Sequence, residues 1–366
     1  MRDFRQKIHL NSKYMNFTLS ISDIIAKNEV QQTMHLINTS HRIVITSHLS
    51  PDGDAIGSSL ALYHFLKNRG KDVRVIVPNA FPAFLKWLKG ATDIDIYEYR
   101  PKAGQYELYN ADLIFSVDYN IPKRVGDMAY ALEKSKAKKI LIDHHPQPGA
   151  IFDVTVSYPQ ISSCGELMFR LLLQAEKYDE ITKTIAECIY CGMMTDTGGF
   201  TFNSSNPETY AIISLLLRKG IDKDAIYSKV FHNNNEDRFR MLGFMLSERM
   251  EIFPEAHAAL VWLSKEDQSR YNISKGDSEG FVNYPLHIKN IIFSTFIRED
   301  DGLIKLSFRS QKSFPCNDFA ADFFSGGGHL SASGGEYHGK IEDAIAIFKN
   351  GLQQYETKLK EFANEL

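Results

Sequence analysis

Short apolar runs alternate with amphipathic stretches through roughly the first 220 residues. Ser22-Asp23-Ile24-Ile25 opens a helical pattern that runs to about Asn38. HRIVITSH then reads as a strand, and DAIGSSLALYHFLKNRG as a helix ending at Gly70, since glycine relieves the left-handed turn that closes many helices. DVRVIVP, ADLIFSVD and AKKILIDHH repeat the strand pattern. FPAFLKWLKG, PKRVGDMAYALEKSK and SSCGELMFRLLLQAEKY read as the helices between and after them. TKTIAECIYCGMMTDTGGF reads as a helix running into a buried strand or turn. Apolar runs separated by helices predict strands buried on both faces, hence an α/β fold with a doubly wound, mostly parallel sheet.

The pattern changes further on. NPETYAIISLLLRKG, DKDAIYSKVFHNN and EDRFRMLGFMLSERM are helical, and after Glu251 the strands HAALVWLS, IIFSTFIRED and LIKLSFRS appear. Asp301-Gly302 between the last two is a hairpin signal. A glycine-rich segment and the helix IEDAIAIFKNGLQQYETKLKEF finish the chain. The expected division is a first domain at 1–220 that includes a mobile or docking extension to about residue 20, a helical connector at 221–249, and a smaller α/β domain at 250–366.

Composition narrows the classes. The chain has 366 residues, 43% of them hydrophobic, enough for two cores without staples. A formal charge of -3, from 42 basic and 45 acidic residues, argues against coating long duplex nucleic acid. Four cysteines without paired CxxC motifs fit a reducing, cytoplasmic setting, and Cys188-x-x-Cys191 lies in an apolar run that reads as packing. No apolar run approaches the ~18 residues that would span a membrane.

Chemistry collects where the apolar runs stop. The first strand ends in His48-x-x-x-Asp52-Gly53-Asp54, the next such strand in Asp118, and a third in Asp143-His144-His145. Asp196, in Met194-Thr195-Asp196-Thr197-Gly198-Gly199, reads as a fourth strand end. In open parallel sheets ligands bind beyond the carboxyl ends of the strands. Asp-Gly-Asp is also an ordinary helix cap, and a lone Asp after a strand an ordinary turn. Adjacent histidines point differently, which leaves one of His144 and His145 for metal and the other for substrate or proton work. Carboxylates with imidazoles suit manganese, magnesium, iron or zinc, manganese matching an oxygen-rich site best. Two such ions ~3.5–4 Å apart clamp a phosphate and activate a bridging water.

In this order, HLSPDGDAIGS, SVD, DHH and MTDTGGF resemble the four motifs of the DHH phosphoesterases, and FSGGGHLSASGG resembles the signature of the DHH-associated substrate-binding domain. The resemblance covers roughly residues 35 to 345, and its domain sizes are similar to those of the nanoRNase/pAp-phosphatase branch rather than the RecJ-type exonucleases. It implies that His48, Asp52 and Asp118 hold one ion, and that Asp54, Asp118, His144 and Asp196 hold the other, with Asp118 bridging. Asp143 would orient a ligand, and His145 would touch the phosphate or act as general acid. Gly326, Gly327, Gly328 and His329 would cradle a terminal phosphate, with Arg309 gripping phosphate or base. Ser163 stands where the family carries a Ser/Thr-rich phosphate contact, and Cys164-Gly165 departs from that pattern.

The implied activity is two-metal hydrolysis of short oligoribonucleotides to 5′-mononucleotides, with 3′-phosphoadenosine 5′-phosphate (pAp) as a second substrate. The alternatives are cleavage of cyclic dinucleotides or pApA, cleavage of pyrophosphate or polyphosphate, and a noncatalytic nucleotide-binding role. Exposed helices leave room for a homodimer.

Overall fold

The computed structural model describes residues 21–232, 235–272, 276–300, 302–311 and 313–364. The extension expected before residue 21 lies outside them. Two compact units divide the chain, residues 1–233 and 234–366.

The first unit opens with α1 (Lys27–Thr39), β1 (Arg42–Thr46), α2 (Gly53–Asn68), β2 (Asp72–Val77) and β3 (Asp95–Ile96). It continues with α3 (Pro101–Asn110), β4 (Leu113–Val117), α4 (Ala129–Lys134), β5 (Lys138–Asp143) and β6 (Val154–Ser157), then α5 (Cys164–Gln174), α6 (Lys183–Asp196), α7 (Pro207–Leu217) and α8 (Lys223–Phe231). The six strands pair in the order β3-β2-β1-β4-β5-β6, every pair parallel. Ile43, Val44, Ile45, Leu113, Ile114, Phe115, Ile140, Leu141 and Ile142 are fully buried, because helices cover both faces of the central strands. Register aligns Thr46 with Ser116 and Val117 with Ile142. The residues after these positions therefore leave the sheet together, at the place where strand order reverses.

Helices α2, α5 and α6 pack almost backbone to backbone. A Cβ on Gly57 of α2 would stand 2.6 Å from the Cys188 carbonyl of α6. Only glycine permits this approach, and it brings the start of α2 against the end of α6.

The sequence expectation needs correcting in three places. Asp196 is the last residue of α6, not the end of a strand. IAECIYCGMM is apolar on all sides because α6 is buried on all sides, so its period cannot separate helix from strand. Gly198 and Gly199, at φ 56° and 73°, then stop the helix. FPAFLKWLKG keeps only a single tight turn at Ala83–Leu85. PKRVGDMAYALEKSK is broken at Gly126, φ 56°, into a 3-10 segment and α4.

The second unit comprises α9 (Glu236–Glu248), β7 (Met250–Phe253), β8 (Ala258–Leu263), α10 (Lys265–Arg270), β9 (Phe293–Asp300), β10 (Leu303–Ser310), α11 (Cys316–Phe324), β11 (Gly327–His329), β12 (Ala332–Tyr337) and α12 (Ile341–Asn364). Its sheet runs β11-β12-β10-β9-β8-β7, mixed, with β8 and β9 parallel. One face carries a phenylalanine-rich core from Phe293, Phe308, Phe319, Phe324 and Phe348. On the opposite face Met241 and Met245 of α9 cover Val261, Leu263 and Phe296. Of the connector expected at 221–249, α8 thus joins the first core through Ile226 and Val230, and α9 the second. No helix among the described residues is long and apolar enough to cross a membrane.

Candidate metal centre

The loop after β1 holds the first donors. Ser50, at φ 56°, donates its N–H to Asn79 Oδ1 at 2.6 Å, and the Leu49 N–H bonds Arg124 O at 2.7 Å. These bonds fix a sharp turn. His48 Nδ1 lies 2.9 Å from Leu49 O. A proton on Nδ1 satisfies that carbonyl and leaves the Nε2 lone pair for a cation. Nε2 stands 3.8 Å from Asp52 Oδ2 and 3.5 Å from Asp118 Oδ2.

Asp52 caps a helix and still turns one oxygen toward His48. Its Oδ1 caps α2 by accepting from Asp54 N and Ala55 N, both at 3.0 Å, while Oδ2 faces His48. Asp54 is held differently. Its Oδ2 accepts from Cys164 N at 2.6 Å and its Oδ1 from Gly165 N at 2.8 Å, at the start of α5. A Cβ on Gly192 would stand 2.5 Å from Asp54 Oδ1, so α6 must present glycine there.

Asp118 sits at φ 65°, a left-handed conformation that Asp tolerates better than most residues. Its N–H bonds Ile142 O at 3.0 Å. Its Oδ2 faces His48 Nε2, and its Oδ1 lies 3.5 Å from His144 Nε2 and 3.8 Å from His145 Nδ1. His144 Nδ1 is 3.2 Å from Ile161 O, and its Nε2 is 3.6 Å from Asp196 Oδ2. His145 Nδ1 is 2.8 Å from Asp143 Oδ1, an orienting bond. Asp143 Oδ2 is buried without a partner.

Two donor groups therefore share Asp118. One is His48, Asp52 and Asp118; the other contains Asp54, Asp118 and His144, each group within 4.8 Å. Hard oxygens with two imidazoles fit divalent cations. Cys164 Sγ also falls within the second group, although the motif reading contained no thiol. Burial, then the charges of Asp118, Asp54 and Asp143, push this thiol far up. It remains protonated and donates to Ile142 O at 3.5 Å.

The electrostatics describe a pocket short of positive charge. Burial disfavours a charged His48, but Asp118 and Asp52 outweigh it and lift His48 well above its usual range. Burial likewise opposes ionisation of Asp118, yet His48, His144 and His145 hold it far below the usual carboxylate range. For Asp54, burial and the repulsion of Asp118 and Asp196 act in one direction, upward. Asp196, desolvated and crowded by Asp52 and Asp118, rises to about 7 despite His144. His144, although desolvated, is raised to about 9 by Asp196, Asp118 and Asp54.

A pH dependence follows for protein stripped of metal. The raised carboxyl of Asp196 contributes stability at low pH that is lost as pH climbs through about 7. His144 contributes below its ordinary 6.5 and loses that contribution as pH passes about 9. Both slopes have one sign, so EDTA-treated protein is expected to melt at a lower temperature at pH 9 than at pH 6. Added Mn2+ displaces the same protons, so its stabilisation is expected to be larger at pH 9. Thermal melts with and without metal check this, and the opposite slope would contradict it.

The other expected residues fall in two places. Ser163 is fully buried, and its Oγ accepts from Glu166 N as the cap of α5. That bond makes Ser163 the cap of α5. In the second unit, Arg309, Ala332 and His329 form one cross-strand row over β10, β12 and β11. This row shares the sheet face of Phe296 but lies beyond the patch that α9 covers. Arg309 donates to Phe308 O at 2.9 Å. Gly326 and Gly328 are required by packing, since a Cβ would meet Gly334 O at 2.1 Å or Ala332 O at 2.7 Å, whereas Gly327 faces open space. The motif reading missed Asn79 and the Cys164–Gly165 clamp on Asp54. Asn79 was findable, because DVRVIVPN is one more apolar strand ending in a polar side chain.

A model of the DHH family N-terminal domain matches residues 42–193, and a DHHA1 domain model matches 257–354. The chain is 25% identical over 309 residues to the bifunctional oligoribonuclease and PAP phosphatase NrnA of Bacillus subtilis (strain 168), covering 84% of this chain and 92% of that protein. It is 28% identical over 331 residues to the protein of the same name from Thermus thermophilus, covering 88% and 90%. The crystal structure of an exopolyphosphatase-related protein from Bacteroides fragilis superposes with a TM-score of 0.89, at 50% identity, over 93% of this chain and 100% of that one.

Proposed function

Since the chain belongs to the DHH family and carries a DHHA1 domain, we propose that it is a two-metal phosphoesterase that degrades short oligoribonucleotides to 5′-mononucleotides and removes the 3′-phosphate of pAp. The observation that carries this is Asp118, whose two oxygens face two separate donor groups. His48, Asp52 and Asp118 would hold one cation, and Asp54, Asp118, His144 and Asp196 the other, with Mn2+ the metal of choice for this donor set. Bound there, two cations supply a hydroxide at neutral pH and neutralise charge on the phosphoryl oxygens.

The chain's own residues do the rest. Asp143 fixes the His145 ring through Nδ1, which leaves Nε2 to meet the phosphate or protonate the leaving oxygen. Asn79 braces the turn after His48, and the α5 N–H groups keep the Asp54 carboxylate in place. In the second unit the row of Arg309 and His329, beside the exposed backbone of Gly327 and Gly328, offers cationic and N–H donors to a terminal phosphate. Four free, buried cysteines agree with a cytoplasmic setting.

A substrate panel tests the reading. With Mn2+, a pentaribonucleotide is expected to yield mononucleotides and pAp to yield phosphate. The panel also contains pApA, pyrophosphate and polyphosphate, the last because of the name of the Bacteroides relative. No turnover of any compound sinks the enzyme reading, and turnover of pyrophosphate or polyphosphate alone sinks the nucleotide reading.

A further inference from the structure

A line of aromatic side chains leads away from the metal centre within the first unit. It begins where Asp196 ends α6. Phe202 folds back over Gly198, where a Cβ would stand 2.7 Å from its ring. Phe202 is 51% exposed, unusual for a phenylalanine that no core requires. The next glycine carries the line onward, because Tyr227 of α8 packs over Gly199, 3.5 Å from its Cβ position. Tyr227, 42% exposed, meets His232 edge to face with centroids 5.3 Å apart. His232 in turn borders a groove of about 500 Å³ lined by Phe84, Trp87 and Lys229. Lys229 Nζ lies 4.5 Å from the centre of the Trp87 ring.

Placement and charge say what this line is for. Phe84 and Trp87 lie on the loop that follows β2, and the same loop supplies Asn79 to the His48 turn. The groove is thus walled by the loop that leaves the carboxyl end of β2 and by α8. Lys86, Lys89 and Lys229 are all exposed around Trp87, a local cationic patch on a chain whose net charge is -3. Flat rings at successive steps with ammonium groups beside them are the composition of a single-strand binding track, in which bases stack and phosphates meet lysine. An interface between two copies would bury the rings but would gain nothing from three lysines.

The geometry points to a base-stacking track, Phe202–Tyr227–His232–Trp87, that holds the nucleotides of the substrate strand lying beyond the phosphodiester at the metal centre. The inference rests on the oligoribonuclease reading above and deepens it: the site would favour strands long enough to reach the groove over dinucleotides and pAp.

The test compares kcat/KM for a pentaribonucleotide, a diribonucleotide and pAp in wild type and in a Phe202→Ala/Tyr227→Ala variant. The variant is expected to lose roughly tenfold on the pentamer for each stacked base released, with pAp and dinucleotide turnover unchanged. Phe202→Trp with Tyr227→Phe is expected to keep the pentamer rate. A pentamer-to-dinucleotide ratio identical to wild type overturns the track while leaving the oligoribonuclease reading intact. Failure of wild type to cleave the pentamer overturns both. A variant that alters only the oligomeric state, with the ratio unchanged, assigns the rings to a chain–chain contact and also overturns the track. Should the double variant lose pAp turnover, its fold is damaged and the exposed Lys229→Glu decides. A pentamer KM raised several-fold with weaker salt dependence supports the track, and an unchanged KM rejects it.

Discussion

Asp118→Ala is expected to lower hydrolysis of every substrate by at least about a thousandfold, the scale of losing one preorganised electrostatic group, and to reduce bound metal from two ions per chain to one or none. Both of its oxygens face donor groups, so under the proposed arrangement the substitution would remove a ligand from two sites at once. It also leaves His48 and His144 without the carboxylate between them, and neighbouring donors have no equivalent reach. Alanine adds strain at φ 65°, so Asp118→Asn is the informative companion. Asparagine accepts the left-handed conformation but brings no charge. It is expected to melt near the wild-type temperature while binding metal poorly. Elemental analysis and calorimetric metal titration read the stoichiometry. Full activity or two bound ions in both variants would falsify the shared-ligand arrangement.

Arg170→Met is expected to destabilise the first unit by about 3–5 kcal/mol, the usual cost of stranding a buried charge, and to lower its melting temperature by roughly 10 °C. Arg170 is 1% exposed. Its Nε and Nη2 donate to Glu166 Oε1 at 2.9 and 2.8 Å, and Nη1 donates to Glu208 Oε2 at 2.8 Å. Glu166 Oε2 also accepts from Ser162 and Thr209. Methionine fills the volume but leaves the buried Glu166 carboxyl without its guanidinium partner. Adding Glu166→Leu is expected to recover most of the loss, because the fully buried carboxylate is then gone and Glu208, the other partner, keeps its bonds from Ser22 and partial access to water. This network anchors the first turn of α5, whose N–H groups hold Asp54, so Arg170→Met is also expected to weaken metal binding. Chemical denaturation of single and double variants measures the coupling, and additive losses would contradict it.

The fold was legible where burial forces a simple pattern. Strands covered on both faces must be apolar throughout, which made β1, β4 and β5 readable together with the donors at their ends. Asp196 shows the limit of that logic. A helix buried on every side carries no amphipathic period, so α6 looked like a helix merging into a strand. β3 and β6, with two and four residues, are too short to show any period. The donor types that the structure brings together were readable from chemistry, but their holding contacts were not. That both Asp54 oxygens bind the start of α5 depends on two segments 110 residues apart, and no local spacing encodes it. Ser163, read through the resemblance as a phosphate contact, also has the simplest use of a serine before a helix, which is to cap it. The glycines of the second unit were read as a ligand cradle, and the packing of Gly326 and Gly328 against β12, which no local spacing encodes, also excludes a side chain there.

The sheet edges have a consequence for life in a crowded solution. The outermost strands are β3 and β6 in one sheet and β11 and β7 in the other, of two, four, three and four residues. The interior strands run from five to eight. A stray β-strand that docks on such an edge finds a few backbone hydrogen bonds before the template ends, too few to offset the entropy of ordering it. Brevity at the margins thus guards both units against edge-to-edge aggregation, and leaves the long, adhesive strands sealed inside.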